Sequence, residues 1–406
     1  MILTELRVSG YRSIRDVRLP LGRVNVLVGP NGCGKSNLYQ AVVLLAAAAR
    51  GELARTIVEE GGMPSVLWAG PAQHKDDGAR VALGVTLEAP AEAGRVRAVA
   101  GRRAEAMAAL VSYDIELGIP PPGSENAFPS DPRVKTERLV LRAGAAGSGG
   151  RGPRRGAAGV VHLDRKPGSV ILRDAGGSPV VHPLPLAESE AALALIREPH
   201  AYPEIGAVAA EIAGWRFYHQ FRTDAGSPMR QARVATRTPV LAADGADLAA
   251  ALRTIEENGD GPALHAAVAR AFGGARLLID GTAGEGRFAV AMSQPGLNRP
   301  LTARELSDGT LRYLCLLAAL LSPQPPSVLA LNEPESSLHP DLTEPLAALL
   351  AVASERSQLW ITTHSTALAE AVAKQSGAKP IRLEKTGGET RLVGMGLLGW
   401  VEDDDE

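Results

Sequence analysis

Several features that define particular protein classes are scarce in this chain. Its 406 residues include two cysteines, and aromatic residues make up 4% of the composition. Cys33 and Cys315 lie far apart in different segments, which argues against a disulfide scaffold or a cysteine zinc site and indicates a reducing compartment. With so few aromatic residues, we do not expect a binding surface built on stacked rings.

Long apolar runs and a charge bias are also missing. The N-terminal stretch MILTELRVSGYRSIR has no apolar signal core, and no run reaches the length of a membrane span. The formal net charge is −2, so contact with nucleic acid would require a local basic patch. We therefore expect a cytoplasmic protein with no membrane partner, long enough for one large or two ordinary domains.

A glycine-rich loop lies between an apolar strand (24–29) and a helical stretch (37–50). The loop, GPNGCGKS, matches the pattern G-x-x-x-x-G-K-[ST]. In this pattern backbone N–H groups surround phosphate oxygens, Lys35 reaches the β and γ phosphates, and Ser36 offers its hydroxyl to Mg²⁺. The sequence therefore predicts a nucleoside triphosphate site. Cys33 reads as a small residue beside the phosphates, the alternative being a thiol activated by the helix N-terminus.

A second apolar strand, SVLALN, ends at Asn332-Glu333. In P-loop enzymes this position supplies an acid near Mg²⁺ and, in some classes, a second acid that activates water. Glu333 fits the base, whereas Asn332 is neutral and would hold Mg²⁺ weakly through a bound water. We expect slow but real ATP hydrolysis with a raised Mg²⁺ requirement. The alternative is a strand-to-turn junction without a metal role.

Two further short segments carry candidate site residues. His364 ends the stretch WITTHS, where its imidazole would reach the γ-phosphate or the attacking water. LSDGT places Ser307 and bare backbone N–H groups at the start of an apolar helix, an arrangement that binds anions. On local grounds Ser307 is equally explained as a plain N-cap.

The fold class predicted from the segment order is α/β, with a nucleotide-binding lobe that opens on the P-loop and an α/β pattern that returns from about residue 216. The predicted strands are 2–10, 24–29, 81–89, 169–174, 275–280, 286–294, 327–332 and 357–365. The predicted helices are 37–50, 189–199, 204–215, 245–258, 261–273, the helix opened by LSDGT, and the stretch PDLTEPLAALLAVA.

The order of regular and irregular segments divides the chain into three predicted parts, residues 1–90, 91–214 and 215–406. The segment 141–159 is rich in glycine, alanine and arginine, so it is expected to be a mobile loop.

The motifs in this order resemble the RecF/SMC/OLD-type branch of ABC-class ATPases. They are GYRSI, GPNGCGKSN, ELSDGTLRYL, LALNEPESSLHP and WITTHS, and the chain looks most similar to stand-alone RecF-like "AAA family" ATPases without a nuclease domain. WRFYHQFRTD and TPVLAADGADLAAAL also look like that family, so the resemblance covers most of residues 1–90 and 215–370.

The resemblance implies an ATP-dependent homodimer and a two-lobed ATPase head. The head would consist of an N-terminal ATPase lobe (1–90), an inserted α+β lid or lever (91–214) and a C-terminal ATPase lobe (215–406). Two protomers would enclose two ATP molecules, each between the P-loop of one chain and the signature segment of the other. The residues it implies as ATP-binding are Arg12, Asn31, Gly32, Cys33, Gly34, Lys35, Ser36 and Asn37, with Ser307, Asp308 and Gly309 acting in trans.

The same resemblance assigns the catalytic and metal roles. Glu333 is implied as general base, His364 as switch histidine, Lys35 as the phosphate-binding lysine, and Ser36 and Asn332 as Mg²⁺ ligands, the latter through water. Ser336 and Ser337 would form the loop that meets the partner, and the Q-loop glutamine stays open between Gln73 and Gln220.

Three functions from different classes remain open from sequence. The first is a DNA-linked ATPase in repair or phage defence, and the second is an ATP-gated dimeric scaffold for a separate effector protein. The third, a transporter cassette, is disfavoured by the RecF-like segments and the central insertion. Double-stranded DNA would find two basic segments, in residues 1–50 and 142–166, although the second is equally explained as a solvated loop.

Overall fold

The computed structural model describes residues 1–71, 80–89, 109–120, 128, 130–143, 159–183, 186–282 and 286–394. Its strands are β1 (Ile2–Tyr11), β2 (Ile14–Pro20), β3 (Val24–Val28), β4 (Arg80–Ala89), β5 (Ala109–Gly118), β6 (Arg133–Ala143), β7 (Val160–Lys166), β8 (Ser169–Arg173), β9 (Pro179–Val181), β10 (Arg216–Tyr218), β11 (Arg233–Val234), β12 (Arg276–Thr282), β13 (Arg287–Ser293), β14 (Leu301–Thr302), β15 (Val328–Asn332), β16 (Gln358–Thr363), β17 (Ile381–Thr386) and β18 (Glu389–Leu392). Its helices are α1 (Lys35–Arg50), α2 (Leu53–Glu59), α3 (Met63–Val66), α4 (Ala192–Leu195), α5 (Pro203–Ala213), α6 (Leu248–Asn258), α7 (Gly261–Ala271), α8 (Asp308–Leu320), α9 (Thr343–Ser354) and α10 (Thr366–Ser376).

The chain forms two compact units, each assembled from separate segments. Unit 1 comprises Met1–Gly22, Gly29–Trp215 and Arg382–Glu406, and unit 2 comprises Arg23–Val28 and Arg216–Ile381. Each unit therefore combines residues from near the start of the chain with residues from its second half.

Unit 1 is built on one antiparallel sheet with the strand order β2-β1-β4-β5-β6-β7-β8-β9. Its strands alternate buried and exposed positions, as an antiparallel sheet with one packed face requires. Helix α1 packs on β1, α2 and α5, with Leu38 and Leu45 fully buried. This packing fixes the helix that begins at the glycine-rich loop.

A carboxylate lies in the core of unit 1. Glu137 on β6 accepts hydrogen bonds from the Tyr113 hydroxyl (3.0 Å) and from the backbone N–H groups of Ala192 (2.6 Å) and Leu193 (2.8 Å) at the start of α4. Burial raises the pKa of Glu137, and these hydrogen bonds act in the opposite direction. Glu137 thus joins the sheet to α4.

Unit 2 is built on a parallel sheet with the order β10-β15-β16-β3. Strands β15 and β16 are buried along almost their whole length because both faces of a parallel sheet are covered. A smaller antiparallel sheet, β11-β13-β12 with β14 beside β13, shares the unit's core with α6 and α8. The carboxyl ends of β3, β15 and β16 lie at one edge, and the residues that follow them are Gly29, Glu333 and His364.

Most of the predicted strands and helices are confirmed, with ends that differ by a few residues. Three predictions need correction. The helix predicted over 189–199 is a single turn, Ala192–Leu195, and the strand predicted to end on His364 ends at Thr363. Residues 141–143 of the predicted loop belong to β6, while 144–158 lie outside the described residues.

Candidate functional site

The glycine-rich loop has a backbone that only its glycines adopt without strain. Gly32 has a φ of 77° and Gly34 a φ of 107°, both in the left-handed region. Among the described residues no side chain caps the start of α1, so the first N–H groups of that helix remain available to a ligand. Free helical N–H groups and the helix dipole suit a phosphate, so the loop fits a nucleotide.

Lys35 is held inside this loop. Its side chain is 5% exposed, and Nζ donates to the carbonyl oxygens of Gly29 (2.6 Å) and Pro30 (3.0 Å). Cys33 is buried beside it, with Sγ 4.0 Å from Nζ. The geometry therefore places one positive charge within the loop, where phosphates would bring negative charge.

A hydrogen-bond chain from the far end of the sequence supports the loop. Thr390 on β18 is 1% exposed, its hydroxyl lies 2.7 Å from that of Ser13, and Ser13 accepts from the Asn37 amide at 2.7 Å. A Cβ on Gly34 would lie 2.1 Å from Thr390 Oγ1. Sequence reasoning placed Asn37 at the nucleotide but missed Ser13 and Thr390, because no local pattern marks them.

Arg12 has a left-handed backbone, with a φ of 50°. Its guanidinium pairs with Glu60 at 2.8 Å and lies 5.5 Å from the centre of the Tyr11 ring. Tyr11 also donates to Glu60 at 2.7 Å, and burial followed by the nearby Glu60 charge raises the pKa of Tyr11. Glu60, which sequence reasoning did not single out, therefore sets the position of Arg12.

Asn332 and Glu333 lie where β15 ends. Asn332 Oδ1 accepts a hydrogen bond from the Thr362 hydroxyl at 2.6 Å, which leaves the amide oxygen one further lone pair. Glu333 has a φ of 46°. Two hydrogen bonds hold this conformation: the Glu333 N–H donates to the Thr362 carbonyl (2.8 Å), and Arg312 donates to the Glu333 carbonyl (2.9 Å). A strained backbone held in this way is typical of a functional position.

His364 follows β16 and faces two carboxylates. Its Nδ1 lies 3.7 Å from Glu333 Oε1 and 3.8 Å from Glu335 Oε1, and its side chain is 50% exposed. The structure therefore brings together the two catalytic residues predicted in this unit and adds Glu335, which the sequence reasoning passed over.

The signature segment begins α8. Ser307 caps the helix by accepting from the Thr310 N–H at 3.1 Å, as the N-cap interpretation expected. Arg230 pairs with Asp308 at 2.5 Å and donates to the carbonyls of Ala303 and Leu306. Arg230 thus fixes the approach to the signature, a role that nothing in its local sequence indicates.

The signature and the loop after Glu333 touch within one chain. A Cβ on Gly309 would lie 2.6 Å from the Ser337 carbonyl oxygen, and Ser337 has a φ of 64°. Only glycine allows this approach, so the segment expected to act in trans and the loop containing Ser336 and Ser337 form one surface.

A metal ion would find few charged ligands here. The described part of the chain holds no group of three or more His, Cys, Asp or Glu residues arranged for a metal. The predicted ligands, Ser36 and Asn332, offer a hydroxyl and an amide oxygen, which suit Mg²⁺ when the nucleotide phosphates supply the negative oxygens. Of the two Q-loop candidates, Gln220 is exposed and Gln73 lies outside the described residues.

Comparison with known proteins identifies the family. A family model described as "AAA domain, putative AbiEii toxin, Type IV TA system" matches residues 24–112 and 176–370. Because the match covers more than half of the chain, the chain belongs to this family. The OLD nuclease of Thermus scotoductus (strain ATCC 700910 / SA-01) is 41% identical over 44 residues, which are 11% of this chain and only 8% of that relative's length.

Solved structures with a similar fold are SMC ATPase heads. The SMC head domain from Thermotoga maritima superposes with a TM-score of 0.50 at 16% identity, covering 97% of this chain and 98% of that one. An Smc head with an extended coiled coil, bound to the C-terminal domain of ScpA derived from Pyrococcus furiosus, gives 0.53 at 12% identity, covering 97% and 96%. The SmcHead bound to the C-winged helix domain of ScpA gives 0.51 at 13%, covering 98% and 99%.

The fold and the family together confirm two predictions. The chain has the α/β P-loop fold that the SMC ATPase heads share, and its membership of an AAA-domain family agrees with the predicted resemblance to RecF/SMC/OLD-type ATPases. Across the described residues, no helix is both long enough and apolar enough to cross a bilayer.

Proposed function

We propose that this chain binds ATP with Mg²⁺ and hydrolyses it slowly, with Glu333 as the general base. The observation that carries the proposal is the pair formed by Glu333 and His364, 3.7 Å apart at the ends of neighbouring parallel strands. A carboxylate beside an imidazole can accept a proton from water while the ring holds that water or the γ-phosphate.

The remaining roles are proposed from the P-loop pattern and the family resemblance. The N–H groups at the start of α1 and Lys35 would hold the phosphates, and Ser36 with Asn332 would hold Mg²⁺. When bound, Mg²⁺ neutralises charge on the β and γ phosphates. Asn332 contributes no charge to this site, which supports a raised Mg²⁺ requirement and slow turnover.

The decisive experiment is steady-state ATP hydrolysis by the wild type, with Glu333→Gln as the blank. We expect wild-type turnover on the order of 10²- to 10⁴-fold above the blank, the usual contribution of a positioned base. Binding of a fluorescent ATP analogue to both proteins separates chemistry from affinity. If wild-type turnover equals the blank although the analogue binds tightly, the ATPase proposal fails.

We further propose that ATP joins two copies of the chain through their signature segments. The surface formed by Ser307, Gly309 and Ser337 supports this, because the Ser307 hydroxyl caps the Thr310 N–H and the first N–H groups of α8, at Asp308 and Gly309, have no acceptor within the helix.

A second candidate function is an ATP-gated scaffold for an effector protein. Two observations favour it: the neutral Asn332, and the SMC heads of the same fold solved with bound ScpA domains. In this case ATP would stabilise the dimer while turnover stays near the Glu333→Gln blank.

Double-stranded DNA is the partner proposed for the ATPase in repair or in phage defence. Some of the arginines expected to contact it are engaged within unit 1: Arg50 donates to the Ala213 carbonyl at 2.9 Å, and Arg165 donates to the Ala187 carbonyl at 2.7 Å. DNA binding would therefore rest on the other basic residues. Turnover that rises with duplex DNA, by an amount that falls steeply with salt, would support DNA as the partner. Turnover that is unchanged by DNA would refute it.

A further inference from the structure

Glu335 is a buried carboxylate next to the catalytic pair. It lies two residues after Glu333, and its side chain is 12% exposed. Its Oε1 accepts a hydrogen bond from the Thr363 hydroxyl, and that hydroxyl in turn accepts the Ser365 N–H at 2.9 Å. The backbone on both sides of His364 is thereby tied to one carboxylate.

The same oxygen faces the imidazole. Glu335 Oε1 lies 3.8 Å from His364 Nδ1, almost as close as Glu333 Oε1 at 3.7 Å, yet Glu333 is about a third exposed. Of the two carboxylates, Glu335 is thus the one held in place by its surroundings. The proposed base, Glu333, must be accessible to water, whereas a residue that orients the His364 imidazole must have a fixed position.

A positive charge compensates for the burial of Glu335. Arg312 on the signature helix is half-buried; burial lowers its pKa, while the charges of Glu335 and Glu333 act against that shift. Glu335 Oε2 and Arg312 Nε are both buried and without a hydrogen-bond partner in the described part of the chain. A largely buried carboxylate that interacts electrostatically with a half-buried guanidinium is costly to maintain for packing alone.

We propose that Glu335 is the positioning residue for His364, fixing the imidazole through Thr363 and through its own carboxylate so that Glu333 remains free to act as base. This inference rests on the proposed ATPase function. Glu335 itself would touch neither nucleotide nor water in the reaction.

A double-mutant cycle between Glu335 and His364 tests this proposal. Glu335→Gln keeps an oxygen for the Thr363 hydroxyl but removes the charge that faces the ring. We expect it to lower kcat on the order of 10- to 100-fold, as a misplaced catalytic group does, with KM little changed. In a His364→Ala background the same change should alter kcat by less than about twofold, because the two residues act as one unit.

Thr363 supplies a second, independent variant. Thr363→Val removes the bridging hydroxyl without removing a charge and should reproduce part of the kcat loss. Thr363→Ser keeps the hydroxyl and should have a kcat close to that of the wild type. Asp341→Asn is the matched control, since it removes a carboxylate that is 88% exposed in the segment that follows Glu335. Equal losses of kcat in the presence and absence of His364, or a change confined to KM, would overturn the proposal.

A readout without turnover separates this inference from the proposed function. In protein with ¹³C-labelled histidine, the His364 ring resonance, identified by its loss in His364→Ala, should shift or broaden in Glu335→Gln and stay unchanged in Asp341→Asn. An unchanged His364 resonance in Glu335→Gln would refute the positioning role. If Glu335→Gln shows this shift while the wild type has no turnover, only the ATPase proposal is refuted.

Discussion

At the scale of single residues, the neutral Asn332 distinguishes this site from one that offers Mg²⁺ a carboxylate. Its amide oxygen already accepts from Thr362 at 2.6 Å, and an aspartate of the same shape could accept that bond equally well. The side chain at 332 would therefore set the charge of the proposed metal site without being required for the local structure.

Asn332→Asp should accordingly increase the affinity for Mg²⁺. We expect the Mg²⁺ concentration for half-maximal hydrolysis to fall by about tenfold, because affinity for this cation depends on ligand charge. The measurement is ATPase activity against MgCl₂ at fixed ATP. Asn298→Asp, an equal charge change at an exposed loop position, should leave the curve in place. Superimposable curves for wild type and Asn332→Asp would show that residue 332 is not near the metal.

Residues with a local signature could be predicted from sequence, and residues defined by distant contacts could not. Lys35 and Ser307 are each marked by their neighbours in the chain. Thr390 contacts Ser13 across 377 positions, and the part played by Arg230 depends on carbonyls more than 70 residues away. No short window contains those partners.

At the scale of secondary structure, several strands of unit 1, among them β5, β6 and β7, were not predicted from the sequence. On β6, RVKTERLVLRA, the inward position 137 carries a glutamate, so the alternation of apolar and polar residues is broken. The same strand has an irregular register between Leu139 and Val140. The buried strands β15 and β16, in contrast, were predicted to within two residues at each end, because a parallel sheet buries both faces.

The hairpin of β17 and β18 is an element with a testable effect on the P-loop. Thr390→Val keeps the shape that packs against Gly34 but removes the hydroxyl that bonds Ser13. We expect about 1 kcal/mol less stability, the usual net value of one hydrogen bond, and weaker binding of a fluorescent ATP analogue. Thermal unfolding and an ATP-analogue titration measure the two effects.

Thr386→Val serves as the control for the hairpin, because Thr386 is exposed near its turn. This variant should match the wild type in both assays. Should Thr390→Val lose stability while binding nucleotide as tightly as wild type, the hairpin would be a structural support with no influence on the P-loop.

At the scale of the whole molecule, the proposed dimer predicts that two inactive variants restore activity when they are mixed. Lys35→Ala disables the P-loop, and Ser307→Asp keeps a good helix N-cap but sets a carboxylate where a phosphate would bind. Each variant alone should be inactive. An equal mixture should recover about a quarter of wild-type turnover, because half of the dimers contain both chains and each of these has one intact site.

Ser307→Asn is the matched variant for this mixing experiment, since asparagine caps the helix without adding charge. It should retain most of the activity by itself. A mixture of Lys35→Ala and Ser307→Asp that stays inactive, although Ser307→Asp binds the ATP analogue, would show that each site is completed within one chain.

The contact between Thr390 and Gly34 also affects the order in which parts of the chain can fold during translation. The glycine-rich loop is translated more than 350 residues before the side chain that packs against it, Thr390 of β18. During translation the emerging loop would lack this contact until β18 has been made. The loop would therefore reach its final packing only after synthesis of the hairpin of β17 and β18.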